Sequence, residues 1–394
     1  MQSMGVYLHI PFCVKKCDYC DFLSGPASKQ QQKEYVEALK REILYEAPAY
    51  QSYRIKTIFI GGGTPSILEA ESICEILQCI REQYVIDSDA EITIELNPGT
   101  AARQKLIQLN AAGINRLSIG LQSADNKELQ MLGRIHTYEE FLQTYEWARE
   151  AGFRNINVDL MSALPGQCLE SWLGTLKSVL ALEPEHLSAY SLIVEEGTPL
   201  CENLDKYAPV PDEEEDRRMY QQTKQILESH GYQRYEISNF AKTGYECRHN
   251  KIYWQRGIEH LTNYLGLGLG AASTIDRRRW KNTSNMDQYL QAFLIHGNQN
   301  KQEQFIPEKD IKEEMQMLSE KDCMEEFMFL GLRMMCGISI TEFQNSFGKS
   351  IDAVYGKVLQ KWTAQGMLAR ENDIVKLTDA GIDISNIILA DFLL

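Results

Sequence analysis

Residues 6–20 of the chain read VYLHIPFCVKKCDYC. The first five residues of this stretch are mostly apolar and predict a buried strand. Three thiols follow at once in a C-x3-C-x2-C spacing, at Cys13, Cys17 and Cys20. Three thiolates in one loop can hold three irons of a [4Fe-4S] cluster and leave the fourth iron open for a small ligand. This stretch therefore predicts a strand whose carboxyl end carries an iron-sulfur site.

Two other interpretations of the three thiols stay open at this point. A zinc ion could be completed by His9 or by a distant residue, although zinc sites usually show paired C-x2-C halves. The thiols could also be plain buried side chains, as the other seven of the ten cysteines are expected to be. In an intracellular chain of this length thiols stay reduced, so a close group of them indicates a metal or redox site.

From this loop to about residue 190, short apolar runs alternate with segments in which apolar residues recur at the period of a helix. This alternation predicts parallel strands joined by crossover helices, with the strands at 6–10, 57–60, 92–96, 116–119, 156–160 and 187–190. Six such units are too few for a closed eight-unit barrel, so the prediction is an α/β fold, either an open parallel sheet or a six-unit partial (β/α) barrel. In both, ligands bind at the carboxyl ends of the strands.

The rest of the chain predicts two further parts. We place the first domain at 1–205, a mixed α+β segment at 206–305 and a C-terminal domain at 306–394. Prolines and the acidic run 212–216 mark the first boundary, and the run itself is typical of a solvated helix start. The last part predicts two helices and a hairpin around Asn372 and Asp373, a small winged-helix-like shape that lacks the Lys/Arg cluster of a DNA reader.

Composition narrows the functional classes. The chain has 394 residues, 44% of them hydrophobic, which is enough for a sizeable core. Asp and Glu outnumber Lys and Arg by 55 to 40, and the net charge of −15 disfavours nucleic acid as a partner. The sequence shows neither the pattern of a secretory signal nor an apolar run of the ~18 residues that a membrane helix needs. A cytoplasmic protein is the expectation.

The cysteine spacing, the preceding His9-Ile10-Pro11-Phe12 and the glycine triplet 61–63 after the second strand together resemble radical S-adenosylmethionine (SAM) proteins. More narrowly, most of the chain is similar to the oxygen-independent coproporphyrinogen III oxidase group. The resemblance implies a partial barrel of radical SAM type with a [4Fe-4S] cluster and SAM as cofactors. In that group the open iron chelates the amino and carboxylate ends of SAM, and one electron from the cluster cleaves it.

The resemblance also implies a set of SAM contacts. Gly62, Gly63 and Thr64 match the segment that holds the SAM amino group, although a bare glycine triplet can equally be a tight turn. Arg134 can pair with the SAM carboxylate, while polar groups face the ribose. Each residue could instead be a solvent-facing or salt-bridged side chain. The other matching positions are Tyr7, Tyr19, Glu95, Gln122 and Asp159.

This sequence departs from the pattern that is typical of the oxidases in the group. Oxidases typically show a fourth cysteine two residues after the third and a long N-terminal arm, whereas here Phe22 stands at that place and six residues precede Tyr7. Both differences point to the related heme chaperones, as does the segment H-N-x-x-Y-W that begins at His249. Taken alone, this histidine would be structural or exposed. The resemblance implies a heme-linked role for it, since a neutral imidazole can ligate heme iron.

The interpretation that results is a heme chaperone with a [4Fe-4S] cluster, SAM and heme, and with unidentified heme-donor and heme-acceptor proteins as partners. A peripheral membrane contact and a homodimer stay open. Two alternatives remain: a coproporphyrinogen III oxidase, and a radical SAM enzyme of unknown substrate in which Trp254 is only core packing. Porphyrin turnover distinguishes the first, and SAM cleavage without specific heme binding distinguishes the second.

Overall fold

The computed structural model describes residues 1–257, 263–294 and 310–394. All six predicted parallel strands are confirmed, and they lie side by side in chain order. Most run further than the sequence predicted, because pairing with a neighbour extends a strand beyond its apolar centre. They are β1 (Gln2–Ile10), β2 (Tyr53–Gly62), β3 (Val85–Leu96), β4 (Arg116–Gln122), β5 (Ile156–Ser162) and β6 (His186–Ser191).

The crossover helices begin at residues suited to capping. Ser28 and Gln31 form a capping box at the start of α1, and Thr137 and Glu140 form one at α5. Asp212 caps α8, so the acidic run is a helix start as the sequence predicted. The helices are α1 (Lys29–Glu46), α2 (Ala70–Gln83), α3 (Arg103–Ala111), α4 (Asn126–Met131), α5 (Tyr138–Glu150), α6 (Leu169–Leu180), α7 (Pro199–Glu202) and α8 (Glu213–Ser229).

Alternation along the strands separates a packed layer from an accessible interior. Val158 and Leu160 of β5 are fully buried, whereas Asp159 between them is half-buried. The same holds in β1, where Tyr7 lies between the fully buried Val6 and Leu8. Successive side chains of a strand point to opposite faces, so the apolar set packs under the helices and the polar set faces the inside of the partial barrel.

The middle segment extends this same sheet rather than forming a separate layer. The twelve-stranded order is β12-β11-β10-β9-β1-β2-β3-β4-β5-β6-β8-β7, in which β9 is parallel to β1 and the outer strands are antiparallel. The elements are β7 (Gln233–Arg234), β8 (Asn239–Ala241), α9 (Arg248–Trp254), β9 (Tyr264–Leu267), β10 (Ala272–Ile275), β11 (Arg278–Asn282), α10 (Met286–Leu294) and β12 (Lys312–Met317).

The last of these strands was not predicted. The sequence pattern predicts two helices and a hairpin in 306–394, but Lys312–Met317 forms a further strand that pairs with β11 at the edge of the sheet. Its side chains are half-buried or exposed, so the segment has no apolar alternation to signal a strand. Pairing with β11 rather than local sequence pattern forms this strand.

The C-terminal residues have a core of their own, with Phe327, Phe343 and Tyr355 at its centre. The predicted helix, helix and hairpin are present, and Asn372 adopts a positive φ of 52° in the hairpin turn. The division at 305/306 lies outside the described residues, and the one at 205/206 stays a prediction. The elements are α11 (Glu320–Gly331), β13 (Ile338–Ser339), α12 (Ile340–Phe347), α13 (Ile351–Ala364), β14 (Leu368–Glu371), β15 (Ile374–Leu377), α14 (Asp379–Asp383) and α15 (Ser385–Ala390).

None of the helices in the described ranges combines the length and apolar character needed to cross a membrane.

Candidate cluster and cofactor site

The loop that carries the three thiols is held by backbone hydrogen bonds from several directions. The N–H of Cys13 donates to the carbonyl of Gly25 at 2.9 Å, and the N–H of Asp18 donates to Leu132 at 3.1 Å. The carbonyl of Asp18 in turn accepts from Leu200 at 2.8 Å. The thiols therefore project from a loop that is anchored to its own base, to the turn after α4 and to α7.

The glycine triplet packs directly against this loop. A Cβ atom on Gly63 would lie 2.6 Å from the Phe12 carbonyl oxygen and 2.9 Å from the sulfur of Cys13. Gly62 has a φ of +118°, which favours glycine. The N–H groups of Gly63 and Thr64 donate to Ile10 and Phe12 at 2.9 and 2.7 Å. Close approach of two backbones explains the glycines.

Polar side chains reach two of the three sulfurs. The hydroxyl of Thr64 lies 3.7 Å from the sulfur of Cys13, and Nη1 of Arg134 lies 3.7 Å from that of Cys17. Within the described ranges, no group of three or more His, Cys, Asp or Glu side chains is arranged to hold a single metal ion. Hydrogen-bond donors aimed at sulfur suit thiolates that ligate metal.

Arg134 joins the cluster loop to the ends of two strands. Its Nη2 donates to Asn97 Oδ1 at 2.8 Å and to the carbonyl of Gly120, while its buried Nε has no hydrogen-bond partner. No carboxylate among the described residues forms an ion pair with this guanidinium. Because a sequestered charge is costly without a counter-charge, the position suits the carboxylate of a ligand.

Two carboxyl groups in the interior, on β3 and β5, interact electrostatically. Glu95 accepts the N–H of Gly62 at 3.1 Å, and Asp159 accepts from Ser118 at 3.0 Å and from Asn157 at 2.8 Å. Burial, followed by the proximity of Asp159, raises the pKa of Glu95 to about 8. Burial also raises the pKa of Asp159. The pair offers a protonated Glu95 and the oxygens of Asp159 to a polyol such as a ribose.

The remaining predicted contacts lie on the same side of the sheet. The Tyr7 hydroxyl lies 3.0 Å from Nδ1 of His9, and burial raises the pKa of this phenol well above its usual value. Tyr19 is half-buried against Leu132, Met161, Leu164 and Tyr190. Gln122 accepts a hydrogen bond from Tyr190 at 3.2 Å and has a φ of 75°, uncommon for a residue other than glycine.

Sequence reasoning missed two residues beside this group. Asn97 donates to Thr64 at 2.8 Å and accepts from Arg134, so it connects two of the candidate SAM contacts. Its position directly after β3 was the available signal. His136 is buried, neither ring nitrogen has a hydrogen-bond partner among the described residues, and burial together with Arg134 lowers its pKa to about 3. No sequence pattern marked that histidine.

His249 is separated from Tyr7 by one aromatic ring, because Phe59 stacks on both side chains. It is only 1% exposed, and its Nδ1 and Nε2 lie 2.8 Å from the Thr57 hydroxyl and 2.9 Å from the Tyr253 hydroxyl. Its ring stacks on Phe59, and burial lowers its pKa to about 3. The segment is not exposed, because Glu91 accepts the N–H groups of residues 248 and 249 and fixes α9 across the barrel interior. Ligation of iron by this imidazole would require one of its hydrogen bonds to break.

Comparison with known proteins agrees with this arrangement. Residues 7–179 match the Radical SAM superfamily, and residues 318–384 match the HemN C-terminal domain. Coproporphyrinogen III oxidase (HemN) from Escherichia coli has a similar structure, with a TM-score of 0.84 and 26% identity over 100% of this chain and 90% of that one. The fold and the three-thiol loop are those of the radical SAM class.

Closer sequence relatives define the family within that class. The heme chaperone HemW of Bacillus subtilis is 36% identical over 99% of both chains. The heme chaperone HemW of E. coli is 40% identical over 69% of this chain and 70% of its own. The chain belongs to the HemW family.

The residues present fit the cofactors of the radical SAM class, a [4Fe-4S] cluster and SAM. Three thiols share one loop that is anchored by backbone hydrogen bonds. A guanidinium without a carboxylate partner among the described residues touches this loop, and the carboxyl groups of Glu95 and Asp159 lie toward the carboxyl ends of β3 and β5. A glycine-lined turn that a Cβ atom would fill completes the surroundings.

Proposed function

We propose that this protein is a heme chaperone that carries a [4Fe-4S] cluster and SAM and delivers heme to hemoproteins. The observation that carries the proposal is the end-to-end match to the heme chaperone HemW of B. subtilis, 36% identical over 99% of both chains. The departure at Phe22 supports it, since the group's oxidases typically place a fourth cysteine there. The likeness to the E. coli oxidase supports the shared fold and the shared cofactors.

In this proposal the residues of the site hold the cofactors in fixed orientations. Cys13, Cys17 and Cys20 are the cluster ligands, and Arg134 pairs with the SAM carboxylate. The backbone of Gly62 and Gly63 and the Thr64 hydroxyl face the SAM amino group. Glu95, Gln122 and Asp159 face the ribose and its neighbours, and Tyr7 and Tyr19 close the site from the cluster side. A cluster held by the three thiols would supply one electron to SAM when both are bound.

The chain's own groups control protons and water near that site. Glu95 is protonated at neutral pH, so it can donate a hydrogen bond to a ligand oxygen while accepting from Gly62. Asp159 is held by Ser118 and Asn157, which fixes the direction of its free lone pairs. Tyr7 and Tyr19 are neutral phenols, because burial raises their pKa. No side chain in this set needs to act as an acid or base for binding.

The proposal extends to partners and place of action. A heme donor and a heme-accepting hemoprotein are required by delivery, and the cytoplasm is the proposed compartment. Size-exclusion chromatography with light scattering tests the homodimer that the resemblance leaves open. Sedimentation with vesicles of anionic phospholipid tests peripheral membrane contact.

The test of the proposal compares heme handling with porphyrin turnover in one preparation. The cluster is reconstituted anaerobically, and hemin is titrated into the protein while the Soret band is followed. A second sample receives SAM, a reductant and coproporphyrinogen III, and protoporphyrinogen IX and 5′-deoxyadenosine are quantified. Hemin-loaded protein is then mixed with apomyoglobin, and the rate of heme transfer is measured.

We expect saturable hemin binding near one per chain, transfer to apomyoglobin and no protoporphyrinogen IX. Porphyrin product over many turnovers would establish the oxidase instead. Cleavage of SAM without saturable hemin binding would favour a radical SAM enzyme with another substrate.

A further inference from the structure

The structure offers heme a place other than His249. Beside the cluster loop lies a cleft of about 430 Å³, which we call the Leu23–Met286 cleft. Its volume falls in the roughly 300–1,000 Å³ range of cofactor and small-molecule sites. The apolar side chains on its walls are Phe12, Leu23, Pro26, Leu269, Met286 and Leu290.

We propose that the Leu23–Met286 cleft is the heme-binding site, a proposal that rests on the heme-chaperone function proposed above. The cleft combines apolar walls with a set of polar and acidic side chains at Ser24, Gln31, Glu34, Ser284 and Asp287. Such a mixture suits a porphyrin, whose faces are apolar and whose charge is confined to two propionates on one edge. The thioether of Met286 is half-buried, at the start of α10. Thioethers ligate heme iron axially in cytochromes. Of the described residues that line the cleft, Met286 alone offers such a ligand.

Exposed apolar side chains beside the cleft support the same occupant. Phe22, which precedes the lining residue Leu23, is 64% exposed, and Leu23 itself is 38% exposed. Large apolar side chains exposed beside an apolar cleft are typical of a binding surface. A macrocycle seated in the cleft would extend toward Phe22 and remove its ring from water, a contact that the cysteine of the oxidases could not provide.

The charged side chains around the cleft favour one orientation of the heme. Lys16 donates from its Nζ to the carbonyl of Phe22 at 2.9 Å, which places an ammonium group next to the Leu23 wall. Glu34 and Asp287 line the cleft from α1 and α10. Propionates are attracted by the lysine and repelled by the two carboxylates. The porphyrin edge that carries the propionates is therefore expected on the side of Lys16.

The Leu23–Met286 cleft also differs from His249 in its access to solvent. As the described residues form it, the cleft is open to solvent, whereas both ring nitrogens of His249 are bonded inside the barrel. Pro11 and Phe12, which line the cleft, connect β1 to Cys13. A heme in the cleft would thus lie next to the cluster loop, where it could leave for an acceptor protein without opening the barrel.

The test uses hemin titrations of the cluster-reconstituted full chain. Met286→Leu conserves volume and removes the thioether, and Phe22→Ser alters a side chain that is already exposed, so both variants should fold. We expect at least a tenfold rise in the hemin Kd for each variant, with a shifted Soret maximum for Met286→Leu. Matched controls are Met315→Leu and Ile193→Ser, whose side chains are 66% and 69% exposed elsewhere. Their hemin Kd should stay within twofold of wild type.

The outcomes separate the two proposals. If wild-type protein shows no saturable hemin binding, the heme-chaperone function itself fails. If wild type binds hemin and the double variant Phe22→Ser/Met286→Leu binds it equally well, only the cleft is overturned. Iron content and SAM binding are measured on the same samples, and loss of either together with hemin binding would indicate a damaged cluster loop and would overturn the cleft as an independent site.

Discussion

Nη1 of Arg134 lies 3.7 Å from the sulfur of Cys17, so a guanidinium without a carboxylate partner among the described residues touches the loop that carries the three thiols. The same side chain reaches Asn97 and the Gly120 carbonyl, at the ends of β3 and β4. It thus connects the cluster loop to the strand ends where a ligand would bind.

Replacement of Arg134 should weaken SAM binding without removing the cluster. Arg134→Gln loses a charge-assisted contact to a ligand carboxylate, roughly 1.5–3 kcal/mol or about 10- to 100-fold in Kd. Equilibrium binding of SAM to the reconstituted protein measures this, with iron content determined in parallel. Arg103→Gln, which removes an exposed ion pair with Glu150, is the control. Equal SAM affinity in both variants would contradict the assignment.

The cluster ligands can be tested by absorbance and iron content. Cys17→Ala should abolish the broad iron-sulfur absorbance near 400 nm expected of such clusters. Cys168→Ala removes an exposed thiol outside the loop and serves as the control. A full complement of iron in Cys17→Ala would refute the ligand set.

Gly63 should be intolerant of a methyl group. In Gly63→Ala the new Cβ would lie 2.6 Å from the Phe12 carbonyl and 2.9 Å from the Cys13 sulfur, so the cluster loop must shift. We expect cluster occupancy to fall severalfold after reconstitution. Gly174→Ala is the matched control, because nothing lies within 4 Å of its Cβ position in α6. Wild-type iron content in Gly63→Ala would contradict this prediction, because it would show that the cluster loop can shift without loss of the cluster.

Local pattern predicted the parallel strands, because their apolar faces pack under helices and the pattern is visible within each segment. The polar residues of the interior were predicted from the family resemblance, since the sequence around a lone Gln122 or Asp159 does not mark it as a site residue. Contacts across long stretches of chain, such as Glu91 with the backbone of His249, could not be read from the sequence. The edge strand Lys312–Met317 was missed for the same reason, because its partner rather than its composition forms it.

Glu95 should make the ligand-free protein less stable as the pH rises. Its folded pKa is raised to about 8, mainly by burial, so the folded state holds a proton that the unfolded chain releases near pH 4.5. Stability is therefore greatest below the unfolded pKa and is lost as the pH rises toward 8. Glu95→Gln removes this dependence, so the Tm of the variant relative to wild type should increase between pH 5 and pH 8.5. Differential scanning fluorimetry measures the difference, and a constant Tm gap would contradict a protonated Glu95.

His249→Gln tests whether the imidazole stabilises the fold or ligates heme iron. The substitution removes the stacking on Phe59 and at least one of the hydrogen bonds to Thr57 and Tyr253, a loss of about 1–3 kcal/mol in the free energy of unfolding. Burial lowers the folded pKa of this histidine to about 3, so between pH 3 and the unfolded value of about 6.5 the unfolded state binds the extra proton. Wild-type protein therefore loses this contribution as the pH falls, and the stability gap to the variant should narrow from pH 7.5 to pH 5.

Urea denaturation of the apoprotein at both pH values measures that gap, with the exposed His230→Gln as control. The hemin titration then decides the role. Tyr253→Phe removes one of the same hydrogen bonds and leaves the imidazole in place, so a structural role predicts that the hemin Kd of His249→Gln follows that of Tyr253→Phe. A far larger loss of hemin affinity in His249→Gln alone would mean that α9 opens and that its imidazole, rather than the thioether of Met286, binds the iron.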